Sequence, residues 1–457
     1  MRLRSIWHLS RLAFFALDYV LCWASVVCAF KFSPRFADDI IQGGLLNPHL
    51  RFVGYGMPLA MAFGLQLAGV QVSQAGFRGS ETLTRTLVGI VGGIAVFVVL
   101  HALVEFELVG RYVLIFSVLY GAALVLGSRL VLWRLAEHDT RNVLVYGPSK
   151  VAAELAAQIR ALRLPIRVVG HVTISEIMPE SAGAFAAARQ LELHAHAIKR
   201  GAEEIIVSVR DGMSSAERQA LLQCTSLGLK VVDLGYFYEI EFEKVQVEEL
   251  REDWFWAYDA AHSRPVFFAF KRILDVLCSL VGLVLFAPFF PILVAAIWLQ
   301  DRGPVLYSQV RLGLNNQPFR ILKFRSMRLD AEKNGARWAS VGDDRVTRLG
   351  RLMRKTRIDE VPQFWNILRG EMSFIGPRPE RPEFVEKIEE QVPYYRYRHL
   401  IKPGLTGWAQ INFPYGASVD DARQKLAYDL YYLKHASITR ELHILLRTIV
   451  AMIRGAR

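Results

Sequence analysis

Four almost uncharged stretches, at 12–32, 52–72, 83–103 and 112–133, leave this chain few ways to fold in water. Each holds about twenty residues, and at 1.5 Å of rise per residue a helix of that length crosses a hydrocarbon core of about 30 Å. Of the 457 residues 53% are hydrophobic, and they gather in runs, which points to a membrane protein with a four-helix transmembrane bundle at residues 1–138. The loops orient it. Arg2, Arg4 and Arg11 precede the first stretch, Arg78 and Arg85 lie between the second and third, and Arg129, Arg134 and Arg141 close the fourth. The other loops carry Asp38, Asp39, Glu105 and Glu107 with Arg35, Arg51 and Arg111. Lys and Arg are retained on the cytoplasmic side, so both ends of the bundle are expected there. The first stretch lacks a small-residue cleavage site, so it is expected to stay as a span and not to act as a cleaved signal.

Residues 139–262 change texture. Short apolar segments at 142–146, 167–172, 204–209 and 229–234 alternate with helical patterns, which predicts a small parallel sheet of Rossmann type. A dinucleotide site needs three glycines at the first turn, so that the backbone can approach a pyrophosphate. Only Gly147 stands there, followed by Pro148, and a structural or regulatory domain without bound cofactor is expected. The histidines, including His194 and His196, show no metal-ligand spacing, and the four cysteines form no CxxC pair.

The last part, 263–457, is basic. From residue 264 onward there are 31 Lys/Arg against 18 Asp/Glu, whereas the preceding part holds 24 against 25. Nucleic acid is a poor partner for these charges, because they flank a fifth apolar run at 273–299; anionic lipid or a polyphosphate fits better. Lys271 and Arg272 precede that run, and Arg302, Arg311, Arg320, Lys323 and Arg325 follow it. Both flanks therefore favour the cytoplasmic side. Pro288 and Pro291 each remove a helical hydrogen bond, so the segment is expected to bend there and return to the face it entered, as a re-entrant helix.

Seven motifs follow in order: Lys271-Arg272-x-x-Asp275, Gly303-Pro304, Gln309-x-Arg311-x-Gly313, Lys323-Phe324-Arg325-Ser326-Met327, Ile358-Asp359-Glu360-Val361-Pro362-Gln363, Gly376-Pro377-Arg378-Pro379 and Lys402-Pro403-Gly404-Leu405-Thr406-Gly407-Trp408. In this order they closely resemble the bacterial sugar transferases, the monotopic phosphoglycosyl transferases, over about residues 265–457. The helices and degenerate α/β domain in front are similar to those of the large, exopolysaccharide-type members. The resemblance implies a mostly α-helical monotopic catalytic domain on the cytoplasmic face of a bacterial inner membrane. It implies transfer of a sugar-1-phosphate, expected to be a hexose-1-phosphate, from a UDP-sugar to undecaprenyl phosphate with release of UMP. It also implies that Asp359 is the nucleophile and that Glu360 helps hold Mg²⁺ or activates the lipid phosphate.

The residues themselves agree with two different jobs for the acidic pair. Asp359-Glu360-x-Pro362 reads as a helix start with Asp359 as cap, Pro362 in the first turn and Gly370 as stop. Neighbouring helical side chains diverge by about 100°, so the two cannot face each other as an acid–base couple. A diphosphate needs its charge neutralised before a carboxylate can approach, which is work for guanidinium forks and a hard divalent ion, Mg²⁺ or Mn²⁺, for which the resemblance implies Asp359 and Glu360 as ligands. Arg354 and Arg378 are the first candidates for substrate binding, followed by Lys323 and Arg325, expected on one face of a strand, and Arg311. Arg351 and Arg357 read as solvated. The partners are then a UDP-sugar, undecaprenyl phosphate and membrane lipid, with a homodimer as a further expectation. A membrane-tethered nucleotide-sugar dehydratase or epimerase would share the front end, but it needs a YxxxK pair, and Tyr431 and Lys434 stand one residue too close. A non-enzymatic membrane sensor would leave the seven motifs without a task.

Overall fold

The computed structural model describes residues 11–31, 52–68, 79–105, 111–137, 140–162, 164–173, 186–208, 213–256, 264–331, 343–413 and 418–453. The loop charges Arg2, Arg4, Arg35, Asp38, Asp39, Arg51, Arg78 and Glu107 lie outside these. The chain divides into two compact units, Met1–Phe242 and Glu243–Arg457.

In the first unit four helices follow the four apolar stretches: α1 (Arg11–Lys31), α2 (Met57–Leu67), α3 (Gly79–Glu105) and α4 (Arg111–Glu137). Three of them are long and apolar enough to cross a membrane; the second stretch is described only over Val53–Leu67, which is shorter. It begins with a wide turn, Phe52–Gly56, ahead of Pro58. The backbones of α2 and α3 touch at Gly64 and Gly93, where a Cβ would strike the carbonyls of Gly89 and Ala60, so only glycine fits. Asp18 of α1 and Arg129 of α4, both fully buried, pair at 2.5 Å. Such a pair is tolerated in a membrane helix because it faces the bundle interior.

A four-stranded parallel sheet follows, with strands β1 (Arg141–Tyr146), β2 (Ile166–Val172), β3 (Glu204–Val207) and β4 (Lys230–Asp233) in the order β2-β1-β3-β4. Helices α5 (Ser149–Ala161), α6 (Ala186–Lys199) and α7 (Ser215–Ser226) connect its strands. Alternate strand residues feed two apolar clusters, one around Leu144 and Ile205, the other around Val143, Val145 and Ile206, as period-2 side chains on a doubly covered sheet must. Gly147 ends β1 at φ 148°, a backbone state that favours glycine.

The second unit starts with residues that pack on its core, among them Val245 and Val247. Helix α8 (Pro265–Phe286), a tight turn Ala287–Phe289 and helix α9 (Phe290–Asp301) form one apolar segment, the fourth candidate membrane span. The interruption coincides with the prolines: Pro288 lies in the turn and Pro291 in the first turn of α9. Around it Val281, Val284, Leu285, Phe289 and Ile292 are exposed, a surface suited to lipid. An antiparallel hairpin follows, β5 (Leu306–Leu312) and β6 (Pro318–Phe324). Next come α10 (Arg348–Thr356), a 3₁₀ turn Ile358–Glu360, α11 (Gln363–Arg369), β7 (Ser373–Ile375) and β8 (Gly404–Thr406), and finally α12 (Val419–His435) and α13 (Ile438–Ile453).

One local expectation is corrected here. Asp359 does not cap a helix; it sits within the 3₁₀ turn, and Pro362 occupies the N-cap of α11 with no side-chain cap. Helix α10 closes on Arg357 at φ 59°, so residues 358–360 are a connector between two helices. Gly370 does stop α11, at φ 82°.

Candidate active site

The membrane segment carries the frame of the site. At the start of α8, Lys271 reaches the Ile375 carbonyl at 2.9 Å and also pairs with buried Glu441 of α13. Arg272 donates to the carbonyls of Ile367 and Leu368, both at 2.6 Å. These belong to the last turn of α11, where unpaired carbonyls and the negative helix end favour a cation. One turn on, buried Asp275 accepts from Ser373 Oγ at 3.0 Å and from the Phe374 N–H at 2.9 Å. The motif Lys271-Arg272-x-x-Asp275 is therefore a clamp holding β7 and α11 against α8. Asn366 of α11 extends it: its Oδ1 accepts from the Leu322 N–H at 3.0 Å and its Nδ2 donates to the Arg320 carbonyl at 2.8 Å. Strand β6, which carries Lys323, is thus fixed to the helix that follows the acidic pair.

Asp359 and Glu360 are both buried, at 6% and 7% exposure, within one turn of chain. Their surroundings differ. Lys323 Nζ stands 3.3 Å from Glu360 Oε1, Arg357 3.6 Å from Oε2 and Arg378 3.8 Å from Oε1. Burial pushes Glu360 up, but Lys323, Arg378 and Arg357 outweigh it, and the carboxyl titrates below its ordinary range. For Asp359 burial dominates and the Glu360 charge adds to it; Lys323, Arg354 and Arg357 only partly offset them, so its carboxyl stays above the ordinary value. Asp359 Oδ1 is buried and accepts no hydrogen bond. Burial also lowers Lys323, against the pull of Glu360.

The other expected residues divide. Arg354 donates through Nε to Ser326 Oγ at 2.9 Å, which orients its guanidinium while its charge acts on Asp359. Arg378 is in the cluster. Arg311 is held one step behind, donating to the Pro379 carbonyl at 3.1 Å and to Gln309 at 2.6 Å, with Glu380 at 3.6 Å. It braces the segment that presents Arg378. Arg325 is not brought to the acidic pair: strand β6 ends at Phe324, and the Arg325 guanidinium pairs with Asp301 at the end of α9. Arg357, read from the sequence as solvated, joins the cluster. The signal for it was the i, i+3 spacing to Glu360. Pro288 and Pro291 mark the interruption of the apolar segment.

Among the described residues no three His, Cys, Asp or Glu side chains gather as a metal cage. A partnerless Asp359 oxygen next to a second carboxylate still fits a hard cation such as Mg²⁺, which binds through one or two carboxylates and takes its other ligands from water and substrate phosphates. The arrangement as a whole is one buried carboxylate with an unpartnered oxygen at the edge of a four-cation cluster, in the unit that carries the apolar segment α8–α9. It is suited to binding a diphosphate and attacking it.

Residues 266–455 match the family described as bacterial sugar transferase. The chain is 37% identical over 254 residues to the UDP-N-acetylgalactosamine-undecaprenyl-phosphate N-acetylgalactosaminephosphotransferase of Aeromonas hydrophila, covering 55% of this chain and 59% of that protein. It is 43% identical over 185 residues to the undecaprenyl-phosphate glucose phosphotransferase of Komagataeibacter xylinus, covering 39% of this chain and 35% of that one. An exopolysaccharide production protein, PSS, of Rhizobium leguminosarum bv. phaseoli is 38% identical over 187 residues, covering 40% of this chain and 94% of the relative. The match thus spans about a third to three fifths of the length of the first two relatives and nearly all of the third.

Proposed function

Starting from the bacterial sugar transferase family, to which this chain belongs, we propose that it moves a sugar-1-phosphate from a UDP-sugar onto undecaprenyl phosphate and releases UMP. The observation that carries the reading is Asp359: a buried carboxylate with a partnerless oxygen, acted on by the charges of Lys323, Arg354 and Arg357, with Arg378 3.8 Å from the adjoining Glu360. Asp359 attacks the β-phosphorus of the donor. The bond to the bridging oxygen breaks, its electron pair leaves with UMP, and a phosphosugar stays on the carboxylate. A phosphate oxygen of the lipid then attacks the same phosphorus, the bond to Asp359 breaks, and the product is a polyprenyl diphosphate sugar. The cations stabilise the charge that builds on the equatorial oxygens, which is where most of the catalytic energy of phosphoryl transfer arises. Mg²⁺ held by Asp359 and Glu360 would supply further charge neutralisation at the diphosphate. The hexose is left open by the relatives, whose names include both N-acetylgalactosamine and glucose.

The reading includes a place in the cell. The apolar segment enters and leaves the cytoplasmic face of the inner membrane, and the four helices in front span it. Support comes from the anchoring of both ends of the segment to one unit: Lys271 to the Ile375 carbonyl, and Asp301 to Arg325. A straight helix would hold Lys271 and Asp301 about 45 Å apart. The sheet domain, with its single Gly147, is taken as a Rossmann-like regulatory or structural element without cofactor.

The test uses purified full-length protein and UDP-sugar alone. UMP is expected before any lipid acceptor is added, to about one equivalent per enzyme, with the sugar phosphate retained on protein; EDTA should stop it and Mg²⁺ or Mn²⁺ restore it. If UMP appears only when both substrates are present, the covalent route is wrong.

A further inference from the structure

Two buried side-chain atoms at the acidic turn have no hydrogen-bond partner among the described residues: Asp359 Oδ1, an acceptor, and Gln363 Nε2, a donor. Gln363 is 2% exposed and closes the motif that begins at Ile358. Its place follows from the backbone. After the turn Ile358–Glu360 the chain keeps winding in the helical sense into α11, with Val361 at φ −55°, ψ −37° and Pro362 at φ −60°, ψ −18°. At about 100° per residue Gln363 falls between Asp359 and Glu360 in angle, and helical side chains lean toward the N-terminus over the preceding turn. Its amide is therefore directed at the acidic pair. Two contacts fix the rotation of α11. Asn366, one turn on and on the same face, accepts from the Leu322 N–H at 3.0 Å and donates to the Arg320 carbonyl at 2.8 Å and to Glu371 at 2.6 Å. Phe364 packs on Gly282 of α8, where a Cβ would come within 2.4 Å of its ring. Of these two buried amides on one face, Asn366 holds the frame, whereas Gln363 Nε2 donates to no described group.

We propose that Gln363 is a further catalytic residue, whose Nε2–H donates to one non-bridging oxygen of the β-phosphoryl group during its transfer at Asp359. This deepens the proposed function and rests on it. Leaving a buried N–H unpaired is unfavourable and rare in native proteins, so a group that arrives later is the natural partner. Asp359 Oδ1 is not that partner, since both atoms stay unpaired although one could serve the other. A phosphoryl group satisfies both: its phosphorus bonds to the carboxylate and a non-bridging oxygen takes the N–H. The amide also suits the place by being neutral. A further cation here would hold Asp359 as an ion pair and lower its pKa, which blunts a nucleophile; an amide directs one oxygen without that effect. The bond is unmade before the donor arrives and made as charge builds on the phosphoryl oxygens, so its contribution goes to the rate and not to donor binding.

The test compares wild type with Gln363→Met, which keeps length and packing and removes the N–H, both as full-length protein in nanodiscs. Single-turnover UMP release from UDP-sugar should fall about 100-fold, the usual effect of removing one donor to a developing oxyanion. The half-saturating donor concentration should change less than about threefold, and the melting temperature should not fall, because the folded protein loses no hydrogen bond. The decisive readout uses the two diastereomers of a donor with one non-bridging β-oxygen replaced by sulfur, a poor hydrogen-bond acceptor. With one diastereomer the bond is already lost, so the penalty of Gln363→Met should shrink to within about threefold; with the other it should persist. Any metal preference for oxygen over sulfur is common to both enzymes and cancels in these ratios. Equal penalties on all three donors would overturn the assignment by showing that Gln363 acts through the fold, and no penalty would overturn it outright. Should Gln363→Met fail to fold, Gln363→Asn, which draws the same amide back by one methylene, is put through the same three donors. If UMP appears only with acceptor present, the covalent route falls, and the same ratios read from complete transfer still judge Gln363.

Discussion

Adjacent carboxyls at 359 and 360 are driven in opposite directions by groups that sequence spacing alone does not reveal. Glu360 has three cations within 4 Å and titrates low; Asp359 is dominated by burial and titrates high. The signs give opposite stability predictions. A raised folded pKa means that Asp359 favours the fold most below its unfolded value, and this contribution fades as pH rises through the raised value. At pH 7 its charge is therefore a burden. In metal-free buffer Asp359→Asn should melt at or above the wild-type temperature while losing at least about 1000-fold in transfer, as removal of a nucleophile does. Glu360 contributes above its unfolded value and loses that contribution as pH falls through the lowered folded value. At pH 7 Glu360→Gln should cost roughly 1–3 kcal/mol, because Lys323 and Arg378 lose their counter-charge. Thermal melts of the two variants side by side check this; a fall for Asp359→Asn as large as that for Glu360→Gln would show that burial does not govern the Asp359 carboxyl.

At the scale of elements, what was legible and what was not have separate physical causes. The four sheet strands and the long apolar helices were readable because their signal is repeated along many residues. The acidic turn was misread because a helix start and a connector share the same letters. Asp359-Glu360-x-Pro362 would cap a helix if the chain arrived extended, but it arrives from α10, which ends on Arg357 in the left-handed region without the glycine that normally marks such an end. Lys323 and Arg325 were expected on one strand face, yet β6 stops between them, and each finds a different acid. Partner choice across 24 to 37 positions of sequence is not written in spacing. The topology of α8–α9 can be tested directly. In a cysteine-free background, cysteines placed at Lys271 and Asp301 lie within or beside the clamps, so the neighbouring exposed positions Phe270 and Arg302 are better probes. Both should resist a membrane-impermeant thiol reagent in intact spheroplasts and label after lysis. Labelling of the 302 site from outside would make the segment a simple span.

The whole chain is two units, and the boundary between them falls at Glu243, well before the apolar helix that starts at Pro265. The residues between are part of the second unit. Val245 and Val247 are buried in its core, and Leu250, Trp254 and Phe255 pack on that core. The Trp408 indole donates to the Glu243 carbonyl at 3.0 Å, and the Val245 N–H donates to the Ala427 carbonyl at 3.0 Å. Through Trp408 and α12 this strap supports the same core as β7, and β7 is held by Lys271 and Asp275. A relative covered to 94% of its length by a 187-residue match indicates that such a region can exist without a long extension in front. A chain truncated to 243–457 should therefore insert into membranes, release UMP from donor and transfer sugar phosphate at rates within about tenfold of the full protein. A chain truncated to 264–457 keeps every motif but loses the two buried valines, worth about 1.5–3 kcal/mol each. That is a large part of the 5–15 kcal/mol by which a typical domain is stable, so it should melt many degrees lower and lose activity on warming. Equal melting temperatures for the two truncated chains would mean that the strap covers the core without supporting it.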